Sequence, residues 1–359
     1  VKTITKIAAA AVLAGAAFVV FVPTWTPVPT GTEVGIPQEI NFSDAINESA
    51  ASNQAPAPLP AAETGGPSAT QAYKNVQVLT DVSAAEFMRL QTAITAWVAP
   101  KEGCAFCHAG TDYASDAKPT KATARIMLLM TRHVNTSWSN HVSGAGVTCY
   151  TCHRGQPVPA DAWFPAPPVP VKPFIGKQDA WRENADTVRH FFPDAGFAEY
   201  FLQDQPIAVQ STTVEPSNTV HSFDETKRIY EMMMQMSDGI GANCGLCHNS
   251  RAFADWSQSS PYRWNNFWAI RLVRDLNRNF LLPVSVGMPQ TRDQVDPNRI
   301  PAIPARETGI QNGNGMVVCK TCHQGVLKPL QGVNMVNDYP GLGGPVSAKA
   351  IDAPPPSGG

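Results

Sequence analysis

The pentapeptide Cys-x-x-Cys-His occurs four times, as Cys104–His108, Cys149–His153, Cys244–His248 and Cys319–His323, and the four copies consume all eight cysteines. This spacing is that of covalent c-type haem attachment. The thiols of Cys104 and Cys107, Cys149 and Cys152, Cys244 and Cys247, and Cys319 and Cys322 would add to porphyrin vinyls. His108, His153, His248 and His323 would then each ligate an iron. A redox dithiol or a zinc half-site could explain one copy, but zinc gives no reason for a His after every second Cys. A disulfide scaffold fits poorly, because 359 residues can bury a core without staples. The sequence predicts a cytochrome with four covalently bound haems c.

Composition matters at three points. Thirty-two prolines argue for long irregular stretches between helices, while 43 % apolar residues suit a globular chain. A formal net charge of −2, to which haem propionates would add, gives no support to a nucleic-acid partner. Haem c is attached to unfolded chains outside the cytoplasm, so the expected location is periplasmic.

Residues 1–23 carry Lys2 and Lys6 ahead of an uncharged run from Ile7 to Val22. A secretory signal and a retained anchor share this pattern. The expectation is a spanning helix with its lysines on the cytoplasmic side. Residues 24–78 are rich in Pro, Ala, Thr, Ser and Gly and read as an extended arm, either a spacer or a strap across a partner. A first two-haem unit occupies 79–156. There Ser83-Ala-Ala-Glu86 forms a capping box, Phe87, Gln91, Ile94 and Val98 share one helical face, and a second helix starts at Pro119. A proline-rich connector over 157–220 follows, with a short helix around Asp194–Leu202.

The second unit, 221–338, repeats the plan. Ser222–Glu225 opens a methionine-rich helix, Cys244 follows, and a helix over 262–280 precedes the last motif. VTCYTCHRG resembles VVCKTCHQG, so motifs two and four match, and the extra length of the second half falls around Leu282–Met316. The tail, 339–359, is expected to be irregular. The predicted fold is mainly α with much irregular structure: two pseudo-twofold two-haem halves behind an N-terminal membrane helix.

An electron carrier keeps its iron six-coordinate, and Met raises the potential relative to His. Beyond the motif histidines the chain has His133, His141, His190 and His221. Helical methionines precede three motifs: Met88, then Met127 or Met130, then the cluster at 232–236. A lone Met is ordinarily a core gap-filler, but recurrence ahead of three motifs makes these candidate ligands. The helix before the fourth motif has none, and His141 is the best spare imidazole for that haem. Arg271 and Arg274 could pair haem propionates; otherwise they form a solvated face. Trp138, Trp264 and Trp268 suit packing against porphyrin. His133, His190 and His221 read as structural or exposed.

From about residue 75 to 340 the chain resembles the tetrahaem cytochrome subunit of purple-bacterial photosynthetic reaction centres. The resemblance rests on FMRLQTAITAWV before KEGCAFCH, on RIMLLMTRHVN and GVTCYTCHRG, and on MMQMSDGIGANCGLCHN followed by AIRLVRDLN. It implies that Met127 caps the haem of His153, Met233 that of His248, and His141 that of His323. Where the family places its first ligating Met, thirteen residues before the first Cys, this chain has Gln91. Met88 lies one turn earlier on roughly the same face. Met88, Gln91 and a five-coordinate iron are the options there, with Met88 the expectation.

The resemblance further implies an electron carrier without bond chemistry of its own, docked on the L and M chains at the periplasmic face of the photosynthetic membrane. It would take electrons from a soluble donor, a cytochrome c2-like protein or a high-potential iron–sulfur protein, and pass them to the photo-oxidised special pair. The alternative is a membrane-anchored tetrahaem quinol dehydrogenase feeding a periplasmic reductase, but such proteins are shorter and lean on His. A multihaem reductase is a further alternative, kept open by the Gln91 site.

Overall fold

Ser83 begins the first long helix because its side-chain oxygen accepts the Glu86 amide at 3.2 Å. That bond satisfies one of the donors every helix start leaves open. The computed structural model describes residues 51, 53–163, 197–207, 222–282, 284 and 315–345. Among these the regular structure is helical, with only isolated β-bridges and much irregular chain. In order the helices are α1 (Ala69–Ala72), α2 (Ala84–Val98), α3 (Pro119–Ser137), α4 (Ser139–Val142), α5 (Cys149–His153), α6 (Ser222–Ile240), α7 (Pro261–Leu276), α8 (Cys319–His323) and α9 (Met335–Asp338). The expected membrane run, His190, His221 and most of the connector and of the 282–316 insertion lie outside the described residues. No helix among the described residues is long and apolar enough to cross a membrane.

Two pairs of helices are counterparts. α3 and α7 each open on a proline, which lacks only an amide hydrogen that the first turn cannot use. Near their ends, Arg132, His133 and Asn135 match Arg274, Asp275 and Asn277 at a constant separation of 142 residues. Asn135 takes the Val147 amide at 2.7 Å and returns a bond to the Val147 carbonyl at 2.9 Å. Asn277 does the same to Val317, at 2.8 and 2.9 Å. Arg132 donates to the Gly341 carbonyl and Asp81, and Arg274 to the Tyr200 carbonyl and Asp204. α2 and α6 are matched through their ends, where the Trp97 and Gly239 carbonyls accept the amides of Gly155 and Gly325 at 2.8 and 2.9 Å. Those glycines have φ of 83° and 80°, in the left-handed region open to Gly, and they turn the chain out of α5 and α8.

Matched positions also touch. His133 Nε2 lies 2.6 Å from Asp275 Oδ2, and Cys152 meets Cys322 with Cα atoms 4.4 Å apart. Self-equivalent contacts are what a two-fold axis produces, so a local pseudo-dyad runs through both pairs.

Two apolar cores flank this axis, and α7 contributes to both. Leu90, Ala93, Trp97, Leu129, Leu272, Tyr339 and Leu342 belong to one; Trp163, Phe201, Met232, Met236, Ile270 and Val318 belong to the other. On α2 the deep stripe is Leu90, Ala93 and Trp97, not the predicted Phe87, Gln91, Ile94 and Val98. The predicted stripe is apolar for a different reason: all four of its residues face a large cavity.

The segments expected to be loose are partly tied down. Asn53 is buried, and its side-chain oxygen accepts from the Leu330 amide and from Arg154, so the end of the arm straps this same chain. Tyr339 and Leu342, expected in an irregular tail, are buried, with Tyr339 edge-on to Trp97 at 4.8 Å.

Candidate functional site

The four motifs fold in two ways, alternating along the chain. Motifs one and three are tight turns. The Cys104 carbonyl accepts the amides of Cys107 and His108 at 3.2 and 3.0 Å, and the Cys244 carbonyl those of Cys247 and His248 at 3.2 and 2.9 Å. A hydroxyl at the start of the next helix steadies each turn: Thr120 donates to the Phe106 carbonyl and Ser260 to that of Leu246. Motifs two and four are the single-turn helices α5 and α8. There the amides of Thr148 and Val318 donate to Thr151 and Thr321 Oγ1, both at 3.0 Å.

All four motif histidines share one constraint. His108 Nδ1 bonds the Tyr113 carbonyl at 3.1 Å and His248 Nδ1 that of Phe253 at 2.9 Å. His153 bonds the Gln156 carbonyl at 2.9 Å and His323 that of Val326 at 3.0 Å. A carbonyl only accepts, so each Nδ1 carries the proton and each Nε2 keeps a free lone pair. This is how metal-ligating histidines are oriented. Burial lowers the pKa of His108, His153 and His323, with Lys121 adding to the effect at His108, and so favours the neutral form that ligates iron.

Three of the motifs open onto one cavity of about 1310 Å³, larger than the roughly 300–1,000 Å³ of a single ligand site. Cys104, Cys107, His108, Cys149, Cys152, His153, Cys319, Cys322 and His323 line it, as do the candidate ligands Met88, Gln91, Met127, Met130 and His141. The His141 and His323 rings lie edge-on to one another, with planes 63° apart and centroids 6.1 Å apart. Burial and then the neighbouring His323 push the His141 pKa down to about 4, so it too is neutral.

Motif three lies outside the residues that line this cavity, and α6 sorts its methionines by position. Met232 and Met236 are in the core, Met234 is 50 % exposed, and Met233 is half-buried between them. The residues present therefore fit haem: free Nε2 atoms, a close pair of imidazoles and a large apolar void. Trp163 adds a buried indole N–H without a partner among the described residues, a donor suited to a carboxylate.

The thiols bear on the same question. Burial pushes the Cys149 and Cys319 thiols up to about 12 and that of Cys107 to about 11. Among the described residues no three His, Cys, Asp or Glu side chains gather as a metal cluster. Cys152 and Cys322 lie against each other, with Cα atoms 4.4 Å apart. The physical reason is the pseudo-dyad, which packs the matched helices α5 and α8 together and brings their second cysteines within disulfide reach.

Several expectations change. Arg274 is committed to Tyr200 and Asp204, and Arg271 stacks over Phe267 at 3.6 Å, so Arg274 is not free for a propionate. Trp138 donates its indole N–H to Asp275 at 2.7 Å, and His133 is structural as expected. Sequence reasoning missed Lys121, whose buried ammonium donates to the carbonyls of Tyr113, Ala114 and Ser115 at 2.8–3.0 Å. It also missed Asn135 and Asn277, although RHVN and RDLN carry the signal once aligned.

Comparison with known proteins gives a consistent picture. A family model described as "Photosynthetic reaction centre cytochrome C subunit" matches residues 23–343. The photosynthetic reaction center cytochrome c subunit of Rubrivivax gelatinosus is 40 % identical over 302 residues, covering 83 % of this chain and 78 % of that one. That of Thermochromatium tepidum is 40 % identical over 287 residues, 79 % and 67 % of the two chains. That of Roseobacter denitrificans is 34 % identical over 291 residues, 78 % and 75 %.

Proposed function

The chain belongs to the photosynthetic reaction centre cytochrome c subunit family, and from that premise we propose that it passes electrons through four covalently bound haems c to the photo-oxidised special pair. Its donor would be a soluble cytochrome c2-like or high-potential iron–sulfur protein. Its acceptor would sit on the L and M subunits at the periplasmic face of the membrane, with the run at 1–23 as anchor. One observation carries the reading: four histidines at four Cys-x-x-Cys-His motifs each commit Nδ1 to a backbone carbonyl and leave Nε2 free.

When bound, the haems supply the one-electron chemistry, and the protein sets their spacing and potential. His108, His153, His248 and His323 are the proximal ligands, held in the right tautomer by those carbonyls. Met127 and Met233 would hold the haems of motifs two and three together with His153 and His248, and His141 would share the fourth with His323. The 6.1 Å separation of the two imidazoles supports that last assignment. Attachment at motifs two and four would use Cys152 and Cys322 as reduced thiols, each adding its S–H across a porphyrin vinyl. The two halves would each hold two haems about the pseudo-dyad.

Flash excitation of native membranes tests the role. Haem oxidation within microseconds of bacteriochlorophyll bleaching is the expected result. No flash-induced oxidation under reducing conditions would contradict it and favour a quinol-linked relay.

A further inference from the structure

Helices α2 and α6 agree in exposure at several matched positions, though Ala93 is buried where Gln235 is exposed. Leu90 and Met232 are fully buried, Gln91 and Met233 are half-buried, and Met88 and Tyr230 stand 48 % and 56 % exposed. The match is anchored downstream, where the Trp97 and Gly239 carbonyls receive the amides that follow motifs two and four. Counted back from those anchors, Gln91 holds the place of Met233, and Met88 holds the place of Tyr230.

The register of α2 is fixed. Arg89, the neighbour of Met88, donates to the carbonyls of Pro60, Leu59 and Asp338 at 2.7, 2.9 and 2.6 Å. The Ser83 cap fixes the other end. Three residues separate Met88 from Gln91, about 4.5 Å along the axis. A slide of that size would break the Arg89 bonds and lift Leu90, Ala93 and Trp97 out of the core. Gln91 and Met88 both line the cavity beside Cys104, Cys107 and His108, with Gln91 the half-buried one and Met88 48 % exposed.

We propose that Gln91, in place of the expected Met88, faces the iron of the first haem, and that this position exchanges its protein ligand for a small neutral molecule such as carbon monoxide. The proposal rests on the haem reading above. A carboxamide oxygen is a hard donor and competes poorly for ferrous iron with the thioether or imidazole expected at the other three sites. The first site is therefore the one an external ligand enters.

The probe is carbon monoxide added to the reduced holoprotein and read in the Soret difference spectrum, after pyridine haemochrome analysis has counted the haems. The expected result is a carbonyl complex on about a quarter of the haem, abolished in Gln91→Met and retained in Met88→Leu. No complex in the native protein overturns the proposal, and one that first appears in Met88→Leu assigns the ligand to Met88 instead. A complex that survives in Gln91→Met puts the open iron elsewhere and overturns it as well. Should Gln91→Met fail to assemble, Gln91→His supplies a strong ligand at the same place and must also abolish the signal. Four haems without a carbonyl complex would defeat the proposal alone. A chain with no haem on Cys104 and Cys107 would defeat the underlying reading with it.

Discussion

The surroundings of motifs one and three are built on one scaffold and finished differently. Each is a tight turn steadied by a hydroxyl from the next helix, each leads to a His held by the carbonyl five residues on, and each follows a helix of matched register. The differences lie in side chains the scaffold does not need. Gln91 stands where Met233 stands on the other helix. Lys121 donates to the Tyr113 carbonyl, which is also the acceptor of His108. Its counterpart Arg263 reaches Ala254, one residue beyond the acceptor of His248, and lies over Trp256 at 4.0 Å. On the proposed reading, holding a haem and setting its potential would be separable: backbone geometry would do the first, and a few distal and cationic side chains the second.

The largest effect should come from exchanging the distal residues. Gln91→Met should raise the potential of the first haem and Met233→Gln should lower that of the third, each by about 100 mV, in a spectroelectrochemical titration. Equal and small shifts would break the comparison. Next is the scaffold itself. Asn277→Ala leaves the Val317 amide and carbonyl unpaired in a buried site and should cost about 2 kcal/mol in denaturant unfolding. Asn135→Ala, at the less buried counterpart, should cost less.

A smaller effect is electrostatic. Lys121→Met removes a positive charge from beside His108, which favours the oxidised iron, so the first potential should fall by roughly 40 mV, about 1 kcal/mol. Arg263→Met should shift the third potential by less. The smallest effect concerns the axis between the halves. Burial acts to raise the Asp275 pKa, but bonds from His133, Trp138 and Asn279 outweigh it and hold the carboxyl below its ordinary 3.8. A group depressed on folding stabilises above its unfolded pKa, and loses that contribution as pH falls through the folded one. The unfolding midpoint of Asp275→Asn should therefore lie below that of the native protein above pH 4, and the gap should close as the pH drops further.

Much of this was legible in the sequence because it is local. Cys-x-x-Cys-His fixes residue types at fixed spacing, and Ser83 and Pro119 mark helix starts by backbone chemistry alone. The apolar stripe of α2 was also legible, but not what it faces. A stripe lining a cavity and a stripe lining a core have the same period, and only tertiary structure separates Phe87 and Ile94 from Leu90 and Trp97. The pseudo-dyad contacts join residues 142 and 170 positions apart, beyond the reach of any local pattern. Lys121 was invisible because a buried ammonium satisfied by three carbonyls looks, in sequence, like any helix-surface lysine.

The central claim is that one scaffold carries unlike distal ligands, and near-infrared magnetic circular dichroism of the oxidised holoprotein tests it most directly. The sulfur-to-iron charge-transfer band reports each methionine-ligated haem separately from imidazole-ligated ones. Intensity for two methionine ligands per chain, from Met127 and Met233, with a bis-imidazole signal for His141 and His323, is the result expected. Intensity for three methionine ligands would place Met88 on the first iron and contradict the account.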